Sequence, residues 1–365
     1  MMHRVRARES QASPDSDRGR PARRRAPTRL LAAALATAVL ALLGWLGWRS
    51  SRDAELPAGR ALNELAFERT FTERDLPVPA AGPREGFWGA RTAPKQADPV
   101  TNWRERLVSI PSLVEIDGQG LQHDGSEAAG VPRVLILGGS VAFGSNASCI
   151  EATWFHRLRR ELEQRAGPVH VVVAAGGAWK VVQELAWLQE HVTAVRPSLV
   201  VFLDGLNDLP NGARSDTLFS QPVPTCDGRP FDPQHHEHDD ERRVADCLEL
   251  LRCGQQIARA HGARTLFALQ PSLAEKEPLS PIEARLLQAS LGPLGPVEAL
   301  NSSYEALREG LRRLADAPDA AFVDLSRAFD GEARTTFTDL WHFTDPGHAR
   351  VADLLAPEAA RLLGR

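Results

Sequence analysis

Residues 131–144 read VPRVLILGGSVAFG, and they decide the fold of the chain. The apolar residues 134–137 form a short continuous run that is typical of a strand buried on both faces, and two glycines end it. Similar runs follow at 169–175, 199–203, 265–269 and 321–325, with helical patterns between them. Continuous apolar strands that alternate with helices predict a parallel sheet covered by helices on both faces.

The alternation predicts one doubly wound α/β domain over residues 131–363, with a parallel sheet of about five strands. Residues 210–240 interrupt the alternation with five prolines, and we interpret them as an insertion near the carboxyl edge of the sheet. Residues 49–130 are interpreted as a membrane-proximal spacer, with a short edge strand expected at 113–116. The predicted helices lie at 151–166, 181–195, 241–261, 298–315 and 346–363.

An uninterrupted apolar segment precedes the spacer. Residues 30–48 contain no charged side chain, and as a helix they would span about 28 Å, enough to cross the hydrocarbon core of a membrane. Nine of the first 29 residues are arginine, and the positive-inside rule places such a segment in the cytoplasm. We therefore expect a basic cytoplasmic tail (1–28), a single-pass transmembrane signal anchor (29–48) and an α/β domain outside the cytoplasm, in the periplasm or at the cell surface. A signal peptide cleaved near residues 36–38 is the alternative.

The charge of the chain argues against nucleic-acid binding. The chain carries 43 Lys and Arg against 47 Asp and Glu, a net charge of −4, and the arginine-rich tail leaves the remainder more acidic still. An acidic body repels phosphate backbones. The composition, 43% hydrophobic and 25% charged, also excludes wholesale disorder and the fibrous classes.

The four cysteines, Cys149, Cys226, Cys247 and Cys253, show no zinc-binding spacing. In an oxidising compartment they permit two disulfides in any of three pairings, and buried free thiols are the alternative. The histidine-rich residues 234–240 lie in a proline-flanked loop, which favours a solvated segment over a metal site. The first glycine turn matches neither a dinucleotide fingerprint nor a phosphate-binding loop, so we expect no metal and no cofactor.

Polar residues and glycine turns follow the predicted strands where each strand ends. The carboxyl ends of parallel strands meet at one edge of a sheet, and the ligands of such folds bind there. We therefore expect the turns after the first three strands to converge with the segment that precedes the last helix. The candidate residues at this edge are Ser140, Gly177, Ala178, Asn207, Asp339 and His342.

These residue types can activate a serine. Ser140 is a poor nucleophile until a base removes its proton, and His342 can be that base because imidazole titrates near neutral pH. Asp339, three residues earlier, can orient the imidazole and stabilise its charged form. Taken singly, such a serine is more often a helix N-cap, and an Asp/His pair more often a surface hydrogen bond.

An oxyanion can be stabilised at the same place. Ser140 is expected where a strand turns into a helix, so that its own N–H and the helix N-terminus favour developing negative charge. The side-chain amide of Asn207 and the backbone N–H of Gly177 or Ala178 would complete an oxyanion hole. Asn207 taken alone is commonly a turn residue, and the neighbouring Asp208 is interpreted as structural.

Together these motifs resemble the SGNH, or GDSL-type, esterase and lipase superfamily over residues 131–363. The third block of that family, Gly-x-Asn-Asp, matches residues 205–208, and the fifth block, Asp-x-x-His, matches residues 339–342. The first block departs from the family, because Gly139 stands where the family usually has Asp. In the second block the oxyanion glycine of the family falls on Ala178.

The resemblance implies a flavodoxin-like α/β fold and a serine hydrolase that cleaves carboxylic esters through an acyl-Ser140 intermediate. The ester could be a small molecule, a polysaccharide or a lipid. An O-acyl transferase that modifies envelope polysaccharide with the same site is one alternative. A non-enzymatic envelope-binding protein with a decayed site is another, although a binding module would need none of the Ser, Asn, Asp and His residues.

Overall fold

A six-stranded sheet lies at the centre of the α/β domain in the computed structural model. The structure describes residues 95–98, 102–105, 108–110, 114–209, 223–231, 240–294 and 297–364. The strands within these residues are β1 (Lys95–Asp98), β2 (Asn102–Glu105), β3 (Val108–Ile110), β4 (Val114–Ile116), β5 (Gln122–Gly125), β6 (Arg133–Gly138), β7 (His170–Ala175), β8 (Leu199–Asp204), β9 (Val223–Pro224), β10 (Pro230–Phe231), β11 (Arg264–Leu269) and β12 (Ala320–Asp324).

Helices alternate with the strands as the apolar spacing predicts. Thr153 begins the first helix, where its side chain accepts a hydrogen bond from the His156 N–H at 3.3 Å, and Gly167, with φ of 79°, ends it. The sequence predicts five of the described helices within three residues at each end and misses one, α4. The helices are α1 (Trp154–Ala166), α2 (Val181–Val195), α3 (Asp240–Ala260), α4 (Pro281–Leu294), α5 (Val297–Leu314) and α6 (Asp345–Leu362).

The strand order of the central sheet is β12-β11-β8-β6-β7-β5. The first five strands in this order are parallel, which confirms the predicted parallel sheet of five strands. Their order is that of a flavodoxin-like fold, with the first strand of the alternation, β6, between β7 and β8. The sixth strand, β5, pairs with β7 in the antiparallel direction, so the sheet as a whole is mixed.

The edge strand is not the one that the sequence predicts. Within the predicted segment 113–116, β4 pairs with β3 in a separate two-stranded antiparallel hairpin. The edge position of the main sheet is taken by β5, whose sequence Gln-His-Asp-Gly has no apolar residue. A continuous apolar run predicts a strand that is buried on both faces. A strand at the edge of a sheet pairs on one side only and can be polar, so such a run does not reveal it.

Each face of the sheet is covered by helices that bury a continuous apolar surface. Strand residues such as Ile136 and Val201 pack on α1 and α6 on one face, and Phe202 and Phe267 pack under α2, α3 and α5 on the other. Trp154 of α1 is fully buried. Burial of a large apolar side chain of this kind stabilises the fold by about 1.5–3 kcal/mol.

The strand order reverses between β6 and β8, and this position explains where the candidate residues meet. The chain moves from β6 outward to β7 and then crosses back over β6 to β8. The crevice outside the carboxyl ends of two such strands is the usual ligand site of an open α/β sheet. Ser140 follows β6 and Asn207 follows β8, so both open onto this crevice.

The predicted tail (1–28) and signal anchor (29–48) lie outside the described residues, as does the part of the spacer before Lys95. Among the residues that the structure does describe, no helix is both long enough and apolar enough to cross a membrane. The membrane segment therefore stays a prediction from the sequence.

The predicted insertion 210–240 is described only in part. Its residues 223–231 form a short antiparallel hairpin of β9 and β10, and Cys226 in this hairpin forms a disulfide with Cys253 of α3. The structure thus contains one disulfide in place of the two that the sequence permits, and Cys149 and Cys247 are free thiols. Residues 234–239 of the histidine-rich run lie outside the described part.

Candidate active site

Ser140, His342 and Asp339 form a continuous hydrogen-bonded chain. The Ser140 Oγ lies 2.8 Å from the His342 Nε2, and the His342 Nδ1 lies 2.6 Å from the Asp339 Oδ2. The side chains of His342 and Asp339 are 16% and 23% exposed, so the histidine is held in a largely buried position with access to solvent. The structure brings together the three residues that the sequence proposes as nucleophile, base and orienting carboxylate.

The two residues of the Asp-x-x-His pair are held by a narrow loop. The Thr338 N–H donates to the His342 carbonyl at 2.9 Å, and the Thr344 N–H donates to the Thr336 carbonyl at 2.8 Å. Within this loop the Asp339 Oδ1 accepts the backbone N–H of Trp341 at 3.0 Å and of His342 at 2.7 Å. One carboxylate oxygen thus fixes the turn while the other faces the imidazole.

The charge of Asp339 is favoured by its surroundings. Burial raises the pKa of Asp339, but the adjacent His342 and the two backbone N–H donors oppose this, and its pKa lies below the ordinary carboxyl value. A carboxylate that stays ionised can accept the Nδ1–H of His342 and leave the Nε2 lone pair to Ser140. This tautomer is the one that a general base at Nε2 needs.

A buried ion pair that the sequence analysis misses anchors the base of this loop. Glu283 of α4, which is fully buried, accepts the backbone N–H of Thr336 at 2.8 Å and of Phe337 at 3.1 Å, and it is paired with the buried Lys276. The Lys276 Nζ also donates to the Arg334 carbonyl at 2.9 Å. Glu283 and Thr336 are 53 positions apart in the chain, and no local pattern indicates their contact.

The segment after Ser140 corrects one expectation. Residues 140–146 form consecutive turns, in which the Phe143 N–H donates to the Gly139 carbonyl and the Ser145 N–H donates to the Ser140 carbonyl. No α-helix begins at Ser140: the next described α-helix begins at Trp154, after a 3₁₀ turn at Ile150–Ala152. The predicted contribution of a helix N-terminus at Ser140 is therefore wrong, and stabilisation of negative charge falls to individual N–H groups.

Three hydrogen bonds tie the turns after Ser140 and the residues that follow them to the loop of the Asp/His pair and to the start of α6. The Asn146 Nδ2 donates to the Thr338 Oγ1 at 2.8 Å. The Ser148 N–H and Oγ donate to the two carboxylate oxygens of Asp345 at 2.8 and 2.5 Å. These contacts join segments almost two hundred residues apart, and they keep the serine turn and the histidine loop in a fixed relation.

The turn after β7 presents backbone N–H groups at the same edge. The Trp179 N–H donates to the Gly176 carbonyl at 3.0 Å, which closes a turn with Gly177 and Ala178 at its centre. Ala178 has φ of 64°, as the third residue of a type II turn requires. Within the described part of the chain, the N–H groups of Ser140 and Ala178 donate to no protein acceptor.

Asn207 lies on a short 3₁₀ turn, Leu206–Asp208, directly after β8. Its Nδ2 donates one hydrogen bond to the Trp179 carbonyl at 2.8 Å, which fixes the amide and leaves its second N–H for a ligand. A Cβ atom at Gly139 would lie 2.3 Å from this Nδ2. The absence of a side chain at position 139 therefore makes room for the amide beside the nucleophile.

Asp208 has a structural contact, as the sequence predicts. Its carboxylate accepts the Val181 N–H at 3.1 Å and so satisfies the N-terminus of α2. Burial raises the pKa of Asp208 to about 6, against the opposing effects of Lys180 and the Val181 N–H. The buried Glu184 and Asp204 nearby also have raised pKa values, mainly because burial disfavours their charged forms.

The sequence matches one family of known proteins over the region that carries these residues. The model of the GDSL-like Lipase/Acylhydrolase family matches residues 136–350, which is more than half of the chain. The chain belongs to this family. A GDSL-like acylhydrolase is an ester-hydrolysing enzyme, and the match spans Ser140, Asn207, Asp339 and His342.

Solved structures with similar folds match 62–64% of the chain. One is the acetyl xylan esterase AlAXEase, 16% identical with a TM-score of 0.42, covering 62% of this chain and 98% of that one. Another is TesA, 19% identical with a TM-score of 0.41, covering 63% and 99%. A mutant of Axe2, an acetyl-xylooligosaccharide esterase from Geobacillus stearmophilus, is 15% identical with a TM-score of 0.42, covering 64% and 94%. None of the curated proteins compared with the chain matches it.

This GDSL-like acylhydrolase departs from the usual motifs at two positions. At the first, Gly139 stands where Asp is usual, and the Asn207 amide lies close to where a side chain at 139 would begin. In the second block, the left-handed φ of Ala178 explains why a glycine is usual there, since glycine adopts that conformation without steric cost. The alanine keeps the backbone N–H at this position.

Proposed function

We propose that the protein cleaves carboxylic esters through a covalent acyl-Ser140 intermediate. The observation that carries this proposal is the unbroken chain from the Ser140 Oγ through both nitrogens of His342 to Asp339, at 2.8 and 2.6 Å. At 2.8 Å the His342 Nε2 is within reach of the hydroxyl proton of Ser140, and at 2.6 Å Asp339 can orient the imidazole.

In the first half of the reaction, the Ser140 Oγ attacks the carbonyl carbon of the ester while its proton moves to the His342 Nε2. Asp339 stabilises the imidazolium through Nδ1. The carbonyl oxygen becomes an oxyanion that accepts hydrogen bonds from the backbone N–H groups of Ser140 and Ala178 and from the free N–H of Asn207. The carbon–oxygen bond to the alcohol then breaks, and the Nε2 proton passes to the leaving alkoxide.

In the second half, a water molecule takes the place of the alcohol. His342 removes a proton from the water as it attacks the acyl carbon of acyl-Ser140, and the same oxyanion donors hold the second tetrahedral intermediate. The bond from the acyl carbon to the Ser140 Oγ breaks, the Oγ regains its proton from Nε2, and the carboxylic acid is released. Two protein-assisted steps thus replace one difficult attack of water on the ester.

Asn207→Ala tests the oxyanion hole and with it the proposed function. We expect kcat for p-nitrophenyl acetate or butyrate to fall by about 10²- to 10³-fold, with KM nearly unchanged, because this hydrogen bond strengthens as charge develops in the transition state. The measurement is steady-state hydrolysis by the full-length chain, with circular dichroism to verify folding. A folded Asn207→Ala enzyme with wild-type kcat would exclude the proposed role of this amide.

Ala178→Gly is the matched control for the second donor. Glycine keeps the backbone N–H and adopts a φ of 64° without steric cost. The variant should therefore retain kcat within about threefold and lose no stability. Ala178→Pro would not test the N–H alone, because the proline ring fixes φ near −65° and the turn itself would be lost.

We also propose that residues 29–48 anchor the enzyme in the membrane with the α/β domain outside the cytoplasm. The arginine-rich tail supports this orientation, and so does the Cys226–Cys253 disulfide, because disulfides persist in oxidising compartments. In bacterial spheroplasts that express the full-length chain, added protease should digest the domain while a tag at the amino terminus survives. If the domain is digested only after lysis, the orientation is wrong.

A further inference from the structure

Two histidines and a glutamate form a compact group at the edge of the sheet, away from the serine. The His123 Nδ1 of β5 lies 3.3 Å from the His170 Nε2 of β7, and the Glu127 Oε1 lies 3.9 Å from the same Nε2. All three atoms lie within 4.8 Å of one another. His170 is the first residue of β7, so this group lies at the amino end of a strand whose carboxyl end leads to the active site.

The spacing of these atoms is that of ligands around one metal ion. With Zn–N bonds of about 2.0–2.1 Å, two nitrogens on a tetrahedral zinc lie about 3.3–3.4 Å apart, and the two imidazole nitrogens already have this separation. The Glu127 oxygen needs to move by only about half an ångström to reach the same distance from His170. Its side chain is 72% exposed and free to make that movement.

The outer partner of His123 supports the same interpretation. The His123 Nε2 lies 3.1 Å from the Asp117 Oδ2, while the other oxygen of Asp117 accepts the N–H groups of Gln119 and Leu121 and is thereby fixed. A carboxylate that accepts the Nε2–H of a histidine leaves the Nδ1 lone pair for a metal, and this arrangement is common behind metal-binding histidines. In His123 that lone pair faces the His170 Nε2.

His170 is buried at this position. Its side chain is 6% exposed, and its Nδ1 is a buried atom with no hydrogen-bond partner in the described part of the chain. A buried imidazole on a strand is a well-ordered ligand, since its rotamer does not have to be fixed on binding. Bound metal would join β5, β7 and the segment after β5 at the polar edge of the sheet.

We propose that His123 Nδ1, His170 Nε2 and Glu127 Oε1 form a binding site for one Zn²⁺ ion, with water as the fourth ligand. Mixed imidazole and carboxylate ligands suit Zn²⁺ and exclude the oxygen-only ions Ca²⁺ and Mg²⁺. The site stabilises the edge strand and takes no part in ester cleavage, which occurs at the opposite end of the strands. The competing interpretation is a direct hydrogen bond between the two imidazoles without metal.

The test is a titration of the full-length chain, purified in mild detergent and stripped with EDTA, with ZnCl₂ followed by calorimetry. His235, His236 and His238 are first replaced by Gln, because a histidine-rich run can bind zinc by itself. In this background we expect one Zn²⁺ per chain with a Kd in the micromolar range or below. Co²⁺ in place of zinc should show the visible absorption of a four-coordinate ion.

Three variants in the same background identify the ligands. His123→Gln and Glu127→Gln, at partly or largely exposed positions, should weaken zinc binding by about 100-fold and at least tenfold respectively. Asp117→Asn keeps the oxygen that the 117–121 turn needs and should weaken binding by about 10- to 100-fold. His261→Gln, an exposed histidine at the end of α3, is the control and should change nothing.

Two results would overturn the proposal. One is the absence of stoichiometric zinc binding in the background that lacks the histidine-rich run. The other is a His123→Gln variant that binds zinc as tightly as its parent. Ester hydrolysis should be the same with and without zinc, so failure of this proposal is distinguishable from failure of the serine mechanism.

Discussion

Ser140→Ala is expected to lower kcat for a p-nitrophenyl ester by about 10⁴-fold or more. Alanine cannot form the acyl intermediate, and the remaining oxyanion donors can only assist a direct attack by water. Because His342 and Asp339 act through Ser140, their removal in addition should cost little more. The measurement is initial-rate hydrolysis by the full-length chain, with enzyme concentrations high enough to detect the residual rate.

The loss should not come from unfolding. Among the described residues, the Ser140 hydroxyl forms a hydrogen bond only with His342. The variant should therefore unfold at nearly the wild-type temperature. Ser302→Ala, an exposed serine of α5, is the matched control and should keep full activity. A folded Ser140→Ala enzyme that keeps more than about a hundredth of the wild-type rate would contradict the mechanism.

Asp339→Asn is expected to lower kcat by about 10³- to 10⁴-fold at neutral pH. If the new amide oxygen keeps the N–H bonds of Trp341 and His342, the NH₂ group faces the His342 Nδ1. That nitrogen must then accept a hydrogen bond, which places the imidazole proton on Nε2. A protonated Nε2 cannot receive the proton of Ser140.

The opposite orientation of the new amide at position 339 should also lower kcat. Its NH₂ group would then face two backbone N–H donors, and the turn that carries His342 would lose the bonds that hold it. KM should change little in either case, because Asp339 does not face the substrate. Asp316→Asn, at an exposed position after α5, is the control. A kcat within tenfold of wild type would show that Asp339 does not set the tautomer.

The central sheet could be predicted because its strands are buried on both faces. β6, β7, β8 and β11 are nearly uninterrupted apolar runs. The polar strand β5 carries no such signal, since its place at the edge follows from its pairing with β7. Its pairing partner is almost fifty residues away, and local pattern does not report such a contact.

The meeting of Ser140 and Asn207 could be predicted for a related reason. A parallel sheet brings the carboxyl ends of its strands together, so residues after β6 and β8 must converge. The contacts that hold the loop of Asp339 and His342 in place could not be predicted in this way. Glu283 binds the backbone of Thr336 and Phe337, and Asn146 binds Thr338, so both join distant segments of the chain. Neither residue type nor spacing in the sequence predicts these contacts. The prediction that a helix begins at Ser140 was wrong because the chain forms turns there. Gly144 and Asn146 have positive φ, which an α-helix does not accommodate.

The most direct test of the acyl-Ser140 mechanism is covalent labelling with a fluorophosphonate, which reacts with an activated serine hydroxyl. The full-length chain is incubated with the probe, digested, and mapped by mass spectrometry. The mechanism predicts one adduct per chain, on Ser140, with labelling strongly slowed in Asp339→Asn and lost in Ser140→Ala. An adduct on another serine, or no adduct from a chain that hydrolyses esters, would contradict it.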